Sequence, residues 1–398
     1  MKFSNRIEKI GYSPIRKFHS HVVKATESGK KIYYLNIGQP DILTPPTFFD
    51  AIANFHERVL EYMPSQGIPG LLASMKRYYE KIHVILDESD IIVTNGGSEA
   101  LVLAINCICD PGDEIIAAEP FYANYSSFIL SAGAKITPVT TKAETGYHYP
   151  SKKSIEEKIT DKTKAIIVTN PGNPTGMVLS PEEINWIKEV AIENDLFVIT
   201  DEVYREFVYD GQEMFSFGRI EEIEDRVVII DSISKRFSAC GARIGALISK
   251  NQELIAHAMK IAQGRLSAPT MEQVGAEALY QVDSSYFDDI KAEYEKRRDT
   301  CYEGMSQIEG VVCEKPAGAF YITAKLPIED SEDFLIFMLR DFDDRGETVM
   351  FSPLDGFYAT SGLGKNEIRI AYVLKEADLK RAIEILKKGI EEYRNRGQ

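Results

Sequence analysis

The sequence predicts an α/β protein, with a mostly parallel seven-stranded sheet in a large domain and a smaller α+β domain beside it. At 398 residues the chain is long for a single hydrophobic core, so two domains are expected. Between about residues 90 and 250, short apolar runs alternate with helical patterns, which is typical of a parallel sheet covered by helices on both faces. Polar residues follow the carboxyl ends of several runs, where ligands bind in open α/β sheets.

The strands of the large domain are predicted from apolar runs rich in Val, Ile and Thr. They lie at residues 91–94, 114–117, 135–139, 165–169, 197–200, 227–230 and 246–248. A charged helical run over 286–307 then leads into a different layer. Its predicted strands and closing helix are 311–313, 318–323, 347–351, 367–372 and 375–394. We therefore expect a large domain at 48–285 and a small domain made of 1–47 and 286–398, with a hinge near the start of the long helix.

The first candidate site residue is Lys235, which follows the apolar run at 227–230. Ser232 and Ser234 stand just before it, and Arg243 follows eight residues later. A lysine amine can hold an aldehyde as a Schiff base, while hydroxyls and an arginine hold an anion beside it. A solvated lysine after a strand would show the same pattern, so other segments must decide between the two.

Three further strand ends supply polar groups that such a site needs. One run enters a loop that places the amide of Asn173 between two prolines, and the next ends at Asp201, with Tyr204 three residues later. A third ends at two glycines and Ser98, where the start of a helix would offer backbone N–H groups to an anion. Each segment alone is also compatible with an ordinary turn or a helix N-cap.

Taken together and in this order, residues 170–176 (NPGNPTG), 200–204 (TDEVY) and 232–245 resemble the signature of the fold-type I PLP-dependent enzymes. They are most similar to the class I/II aminotransferases of the aspartate aminotransferase family. The resemblance extends to residues 35–41 (LNIGQPD) and 368–371 (IRIA). It implies the PLP-dependent transferase fold, pyridoxal 5'-phosphate as cofactor, and transfer of an amino group from an amino acid to a 2-oxo acid.

By this resemblance, Lys235 forms the Schiff base with the cofactor and carries the proton to and from the substrate's α-carbon. Asp201 would pair with the pyridinium nitrogen, which keeps the ring an electron sink, and Tyr122 would stack on the ring. The side chain of Glu99 should point away from the phosphate, because two anions repel. The implied contacts to the ring oxygen are Asn173 and Tyr204, and those to the phosphate are Gly97, Ser98, Glu99, Ser232, Ser234, Arg243 and Tyr62 of the partner subunit.

Arg369 matches the arginine that binds the substrate's α-carboxylate, a task that suits a planar guanidinium, with Asn173 and the backbone of Gly38 beside it. Aspartate as donor needs a second cation for its side-chain carboxylate. Arg265 lies near the place from which some relatives bring an arginine across the subunit interface, and a surface or interface salt bridge is equally open for it. We expect aspartate and 2-oxoglutarate as substrates, followed by aromatic or alanine donors.

Two other classes of function share parts of this pattern. A PLP-dependent lyase of the C–S β-lyase type would use the same cofactor residues, although the Gly-Gln-Pro-Asp segment at 38–41 favours an aminotransferase. A non-enzymatic regulator on this fold would carry a DNA-binding domain before the aminotransferase-like part. We do not expect such a regulator. The motif at 35–41 begins too early to leave room for a DNA-binding domain, and Lys235, Asp201 and Arg369, which a non-enzymatic protein would be expected to lose, are all present.

Charge and composition exclude further classes. The formal net charge of −15 argues against nucleic acid, whose phosphates require a basic surface. The five cysteines and six histidines show no metal-ligand spacing, so no metal is expected. No run approaches the ~20 apolar residues that cross a bilayer, and no signal-peptide core is visible, which predicts a cytoplasmic protein without a membrane partner. The match at Tyr62 predicts a homodimer with shared sites.

Overall fold

The computed structural model describes residues 1–14 and 16–396. Its strands, in chain order, are β1 Lys31–Tyr34, β2 Ile91–Thr94, β3 Glu114–Glu119, β4 Lys135–Thr140, β5 Thr163–Thr169, β6 Phe197–Asp201, β7 Val227–Ser232, β8 Gly245–Ile248, β9 Tyr321–Lys325, β10 Glu347–Met350, β11 Ser352–Pro353 and β12 Glu367–Ala371. Its α-helices are α1 Asn5–Glu8, α2 His19–Glu27, α3 Pro46–Ala53, α4 Pro69–Lys81, α5 Gly96–Ile108, α6 Asn124–Ala132, α7 Lys152–Glu156, α8 Pro181–Glu193, α9 Ile233–Arg236, α10 Gln252–Gly264, α11 Thr270–Leu279, α12 Ser285–Ser306, α13 Ser331–Arg340 and α14 Glu376–Asn395.

The large sheet has seven strands in the order β2-β8-β7-β6-β5-β3-β4. Strand β8 runs antiparallel to both β2 and β7, and the other neighbours are parallel. Every residue of β2, β7 and β8 is buried. Strands covered on both faces are apolar along most of their length, which is why these runs are visible in the sequence. The predicted fold class, an α/β protein with a mostly parallel seven-stranded sheet, is confirmed.

Alternate residues of the sheet face two different hydrophobic cores. On β5, Ile166 and Val168 belong to one core, and Ala165 and Ile167 belong to the other. The first core is closed by α4, α8 and α11, and the second by α5, α6 and α10. This three-layer arrangement leaves the carboxyl ends of β5, β6 and β7 on one edge, where the loops that follow them meet.

The C-terminal part forms a separate layer around a third core. Strands β11, β12 and β9 pair antiparallel, and β1 from the N-terminal part pairs in parallel with β10. The third core joins Phe18 and Tyr33 to residues of α12, α13 and α14. The predicted strand at 311–313 is reduced to a single bridge between Val312 and Lys325, and the predicted strand at 318–323 begins only at Tyr321, after Ala319 takes a φ of 54°.

No helix among the described residues is long and apolar enough to cross a membrane. No group of three or more His, Cys, Asp or Glu side chains within residues 1–14 and 16–396 is arranged to hold a metal ion.

Candidate active site

A cavity of about 1010 Å³ opens at the carboxyl ends of β5, β6 and β7 and is closed on its other side by β9 and β12. Twelve of the predicted site residues line it: Gly38, Gly97, Ser98, Tyr122, Asn173, Asp201, Tyr204, Ser232, Ser234, Lys235, Arg243 and Arg369. They come from segments far apart in the sequence, which the fold brings to one place. The three remaining residues, Glu99, Tyr62 and Arg265, do not line the cavity of this chain.

Lys235 lies on the short helix α9, directly after strand β7. Ser232 is the N-cap of this helix, and its hydroxyl accepts a hydrogen bond from the backbone N–H of Ser234. The Lys235 amine donates to the carbonyl of Gly38 at 2.8 Å. Burial lowers the pKa of this amine, and the charges of Arg369 and Arg243 lower it further. A larger fraction of the amine is therefore unprotonated near neutral pH than for an exposed lysine.

Asp201, the last residue of β6, forms part of the cavity's floor. Its carboxylate accepts hydrogen bonds from the Tyr125 hydroxyl at 3.0 Å and from the backbone N–H of Val203 at 3.3 Å. Burial raises the pKa of Asp201 to about 6, although those hydrogen bonds act in the opposite direction. A buried carboxylate of this kind is suited to a cationic partner, because pairing would compensate the lost hydration.

A chain of hydrogen bonds crosses the cavity from Arg369 on β12 to Tyr204, which follows β6. The Arg369 guanidinium donates to the Asn173 side-chain oxygen at 2.9 Å, and the Asn173 amide donates to the Tyr204 hydroxyl at 3.3 Å. Arg369 also donates to the carbonyl of Asn36 at 2.7 Å and is only 2% exposed. Its Nε has no hydrogen-bond partner among the described residues. The arginine is thus held rigidly and retains an unsatisfied donor.

Hydrogen-bond donors gather where helix α5 begins. Gly97 and Ser98 lie in its first turn, whose backbone N–H groups have no partner within the helix. Gly96 takes a φ of 74°, and a Cβ built on it would overlap the Arg243 guanidinium. Only glycine therefore allows Arg243 to lie against this turn. With the two serines at the start of α9, these groups form a cradle for an anion such as a phosphate.

These donors and acceptors fit a phosphate-bearing cofactor that also has a basic aromatic nitrogen. The cradle matches the phosphate, Asp201 matches the protonated nitrogen, and the amine of Lys235 matches an aldehyde. The unsatisfied Nε of Arg369 leaves a donor for a carboxylate on a second molecule. The cavity is large enough for both, since sites for small ligands and cofactors usually measure about 300 to 1,000 Å³.

Arg265 and Glu99 form an ion pair outside the cavity. The Arg265 Nε donates to the Glu99 carboxylate at 2.9 Å, and its Nη2 donates to the carbonyls of Val93 and Ser65. Its Nη1 has no hydrogen-bond partner among the described residues. The expected contact of Arg265 with a substrate carboxylate across a subunit interface stays a prediction. The Glu99 carboxylate also accepts a hydrogen bond from the backbone N–H of Asn95, and Glu99 does not line the cavity. Tyr62 is 78% exposed, on the surface of this chain.

Several residues of the cavity were not anticipated from the sequence. Tyr321 contributes a hydroxyl 2.8 Å from that of Tyr204, and Cys240 places its sulfur 3.9 Å from the Lys235 amine. Arg16 and His19, from the N-terminal part, also line the cavity. For Cys240 the spacing of five residues after Lys235 is a usable signal. For Tyr321 the run at 318–323 reads as an ordinary apolar strand, so only the folded arrangement reveals the hydroxyl.

Comparison with known proteins gives consistent results. A profile described as aminotransferase class I and II matches residues 30–386. The aspartate aminotransferase of Bacillus subtilis (strain 168) is 29% identical over 405 aligned positions, covering 99% of this chain and 100% of that protein. The (5-formylfuran-3-yl)methyl phosphate transaminase of Methanocaldococcus jannaschii is 32% identical over 368 positions, covering 92% and 93%. The structure of an alanine aminotransferase from Pyrococcus furiosus has a TM-score of 0.89 at 28% identity, covering 98% and 100%.

Proposed function

The chain belongs to the class I and II aminotransferases, and on that premise we propose that it moves the amino group of L-aspartate to a 2-oxo acid such as 2-oxoglutarate. Aminotransferase activity itself follows from the family and from the relatives named above. Membership of the family also implies dependence on pyridoxal 5'-phosphate. What we propose is the substrate and the role of each residue of the site.

One observation carries the proposal: Lys235, Asp201 and Arg369 meet around a single cavity. When bound, the cofactor would supply an electron-withdrawing ring that takes up the electron pair released at the substrate's α-carbon. Asp201 would hold the ring nitrogen in its protonated form. The cradle formed by Gly97, Ser98, Glu99 (through its backbone), Ser232, Ser234 and Arg243 would hold the phosphate, and Tyr122 would cover one face of the ring.

Lys235 would bind the cofactor's aldehyde and then act as the general acid and base. A group that both takes and returns a proton works best with a pKa near the working pH, and burial together with Arg369 and Arg243 lowers the pKa of this amine in that direction. The Gly38 carbonyl would orient the amine through the hydrogen bond between them. The same residue can thus reach both the aldehyde and the proton of the α-carbon.

Arg369 would bind the α-carboxylate of the amino acid, assisted by Asn173 and by the backbone of Gly38. Its hydrogen bonds to Asn173 and to the carbonyl of Asn36 fix the guanidinium plane. A fixed plane orients a carboxylate bidentately and so fixes the direction of the α-C–H bond. This orientation allows one proton acceptor, Lys235, to serve every bound amino acid in the same way.

The preference for aspartate is supported by the name of the Bacillus subtilis relative. The names of other relatives include alanine and a furan phosphate, so the family tolerates different side chains around the same chemistry. Alanine and aromatic amino acids are therefore the next donors to test.

We further propose that the protein is a cytoplasmic homodimer, and that residues 48–285 form one domain while 1–47 and 286–398 form a second that closes over the substrate. The separate cores on either side of the cavity support the two domains. The exposed side chain of Tyr62 is available to reach the phosphate in a partner's site. Closure would exclude water from the reacting groups.

The proposal is tested by recording visible spectra of the PLP-loaded protein while single amino acids are added, with free PLP as the blank. Conversion of the cofactor to its amino form by aspartate, and its reversal by 2-oxoglutarate, is the expected result. A stronger response to alanine or to an aromatic amino acid would change the donor. Release of pyruvate and ammonia from a cysteine-type substrate, with no amino form accumulating, would overturn transfer in favour of lyase chemistry.

A further inference from the structure

Tyr321 is a residue of the cavity to which the proposed function gives no role. It lies on β9, is 2% exposed, and places its hydroxyl 2.8 Å from the hydroxyl of Tyr204. The Arg369 guanidinium lies over its ring, 4.5 Å from the centroid. A Cβ built on Gly38 would overlap the Tyr321 hydroxyl. Tyr321 therefore touches three residues of the site at once, and its position is fixed on every side.

The direction of the hydrogen bond between the two tyrosines follows from counting protons. Burial raises the pKa of Tyr321 to about 12 and that of Tyr204 well above its ordinary value, so both hydroxyls stay protonated. Tyr204 already accepts a hydrogen bond from the Asn173 amide. It has one proton to donate. If that proton is directed into the cavity, towards the ring oxygen, the proton between the tyrosines must come from Tyr321.

We propose that Tyr321 is a positioning residue that acts through Tyr204: its hydroxyl donates to the Tyr204 hydroxyl, directs the Tyr204 proton into the cavity, and thereby tunes the proton affinity of the linkage between Lys235 and the cofactor. This inference rests on the proposed function, because it requires a cofactor whose ring oxygen lies against Tyr204.

The expected direction of the effect follows from electrostatics. A hydrogen bond donated by Tyr204 stabilises negative charge on the ring oxygen, and this reduces the proton affinity of the nitrogen that joins the cofactor to Lys235. A second donor behind Tyr204 polarises its O–H bond and strengthens that donation. Removal of the Tyr321 hydroxyl should therefore raise the pH at which the linkage titrates.

Other charged and titratable groups face the pair of tyrosines, and all of them stay in place when only the Tyr321 hydroxyl is removed. They are Arg369 on β12, Asp201 on β6, Tyr122 after β3 and Cys240 after α9. Phenylalanine also keeps the ring beneath Arg369. The substitution Tyr321→Phe thus isolates the contribution of one hydroxyl.

The test is a pH titration of the visible absorbance of the PLP-loaded protein for the wild type, Tyr321→Phe, Tyr204→Phe and the double variant. Tyr294→Phe is the matched control, because Tyr294 is a buried tyrosine whose ring also packs near Phe320 and whose hydroxyl lies outside this chain of hydrogen bonds. Tyr321→Phe should raise the titration midpoint by about half to one pH unit, which is the shift that corresponds to the free energy of one hydrogen bond. Tyr294→Phe should leave the midpoint unchanged.

The double variant decides whether Tyr321 acts through Tyr204. If it does, the double variant titrates like Tyr204→Phe alone, because the second hydroxyl has nothing left to act on. Additive shifts, or an unshifted midpoint in Tyr321→Phe, would overturn the inference while leaving the proposed function intact. A wild-type protein that binds no PLP would overturn both. If Tyr321→Phe does not fold, Tyr321→Leu replaces it, both alone and combined with Tyr204→Phe. Additive shifts of the midpoint in those variants would again reject the inference.

Discussion

The amine of Lys235 donates a hydrogen bond to the backbone carbonyl of Gly38 at 2.8 Å, although the two residues are 197 positions apart in the sequence. Gly38 comes shortly after β1, which is part of the C-terminal layer, whereas Lys235 follows strand β7 of the large sheet. The contact therefore joins the two layers across the cavity. Anything that displaces the backbone at Gly38 must also disturb the lysine.

Gly38→Ala should impair the site without unfolding the protein. The new Cβ would overlap the Tyr321 hydroxyl and ring, and overpacking of this kind costs about 1 to 3 kcal/mol. We expect a higher KM for the amino acid and a lower kcat. Gly264→Ala is the control, because a Cβ there meets no atom within 4 Å. Steady-state kinetics of the two variants checks this, and equal behaviour would contradict the steric argument.

Lys235→Ala should abolish turnover while the protein still folds and binds PLP non-covalently. General acid–base catalysis alone accounts for roughly 10² to 10⁴ in rate, and the loss of the covalent linkage adds to it. The absorbance of the linkage should disappear from the visible spectrum. Lys250→Ala, which removes a lysine paired with Glu224 at the surface, is the control. Substantial residual turnover in Lys235→Ala would reject the assigned role.

Arg369→Lys should raise the KM for amino acids while retaining the positive charge. A lysine is a point charge and cannot reproduce the fork that orients a carboxylate. The loss should be about 10- to 100-fold in kcat/KM, the equivalent of about 1.5 to 3 kcal/mol for charge-assisted hydrogen bonds. An amine without an α-carboxylate provides the comparison, since its slow reaction should be equal in both proteins. A slower reaction of that amine in Arg369→Lys than in the wild type would show that the substitution disrupts the whole site and does not remove the carboxylate contact alone.

Arg265→Ala should affect dicarboxylic and neutral donors equally. Its Nε and Nη2 are bonded to Glu99 and to two backbone carbonyls of this chain, so we expect its removal to perturb the start of α5 and to leave substrate contacts in place. We expect a modest fall in Tm and parallel changes in kcat/KM for aspartate and alanine. Glu99→Gln should have a similar effect. A rise in KM confined to dicarboxylates would restore Arg265 as a substrate-binding residue.

The pair formed by His148 and Glu183 should make stability depend on pH. The hydrogen bond that His148 donates to Glu183 raises the pKa of His148 above 6.5, so the stability it contributes is complete below pH 6.5 and is lost as pH rises through the higher folded-state value. Burial acts to raise the pKa of Glu183, but hydrogen bonds from His148 and from the backbone of Ser180 and Tyr149 outweigh it, so the net pKa lies below 4.5. That contribution is complete above pH 4.5 and is lost as pH falls.

The pair therefore stabilises the protein most between about pH 4.5 and 6.5. His148→Asn should lower Tm in this window and have progressively less effect as the wild type loses its proton at higher pH. Thermal unfolding of both proteins across pH 5 to 9 provides the measurement, and His257→Asn at an exposed ion pair is the control. A Tm difference that stays constant over this range would show that the charge of His148 is not involved.

The predicted strands of the large sheet agree closely with the structure because burial on both faces leaves a local signal. The sequence predicts a strand at 91–94, and β2 is Ile91–Thr94. Strand β1 has no such signal, since Lys31–Tyr34 mixes exposed and buried residues and pairs with β10, which is distant in the chain. The predicted strand at 311–313 has a suitable composition, but only one bridge forms there. Whether such a segment forms a strand depends on the strand that pairs with it, and the composition of a short segment does not reveal that partner.

The order of the residues already indicated the chemistry of the candidate site. Asp201 ends one buried strand, Lys235 and Asn173 follow two others, and parallel strands end at a common edge. Which groups touch was decided by the fold. Arg265 pairs with Glu99 outside the cavity, whereas the Tyr321 hydroxyl reaches Tyr204 inside it. The reason is physical: strand formation and residue type are properties of short segments, but a hydrogen bond requires two atoms about 3 Å apart, and only the packing of distant segments sets that distance.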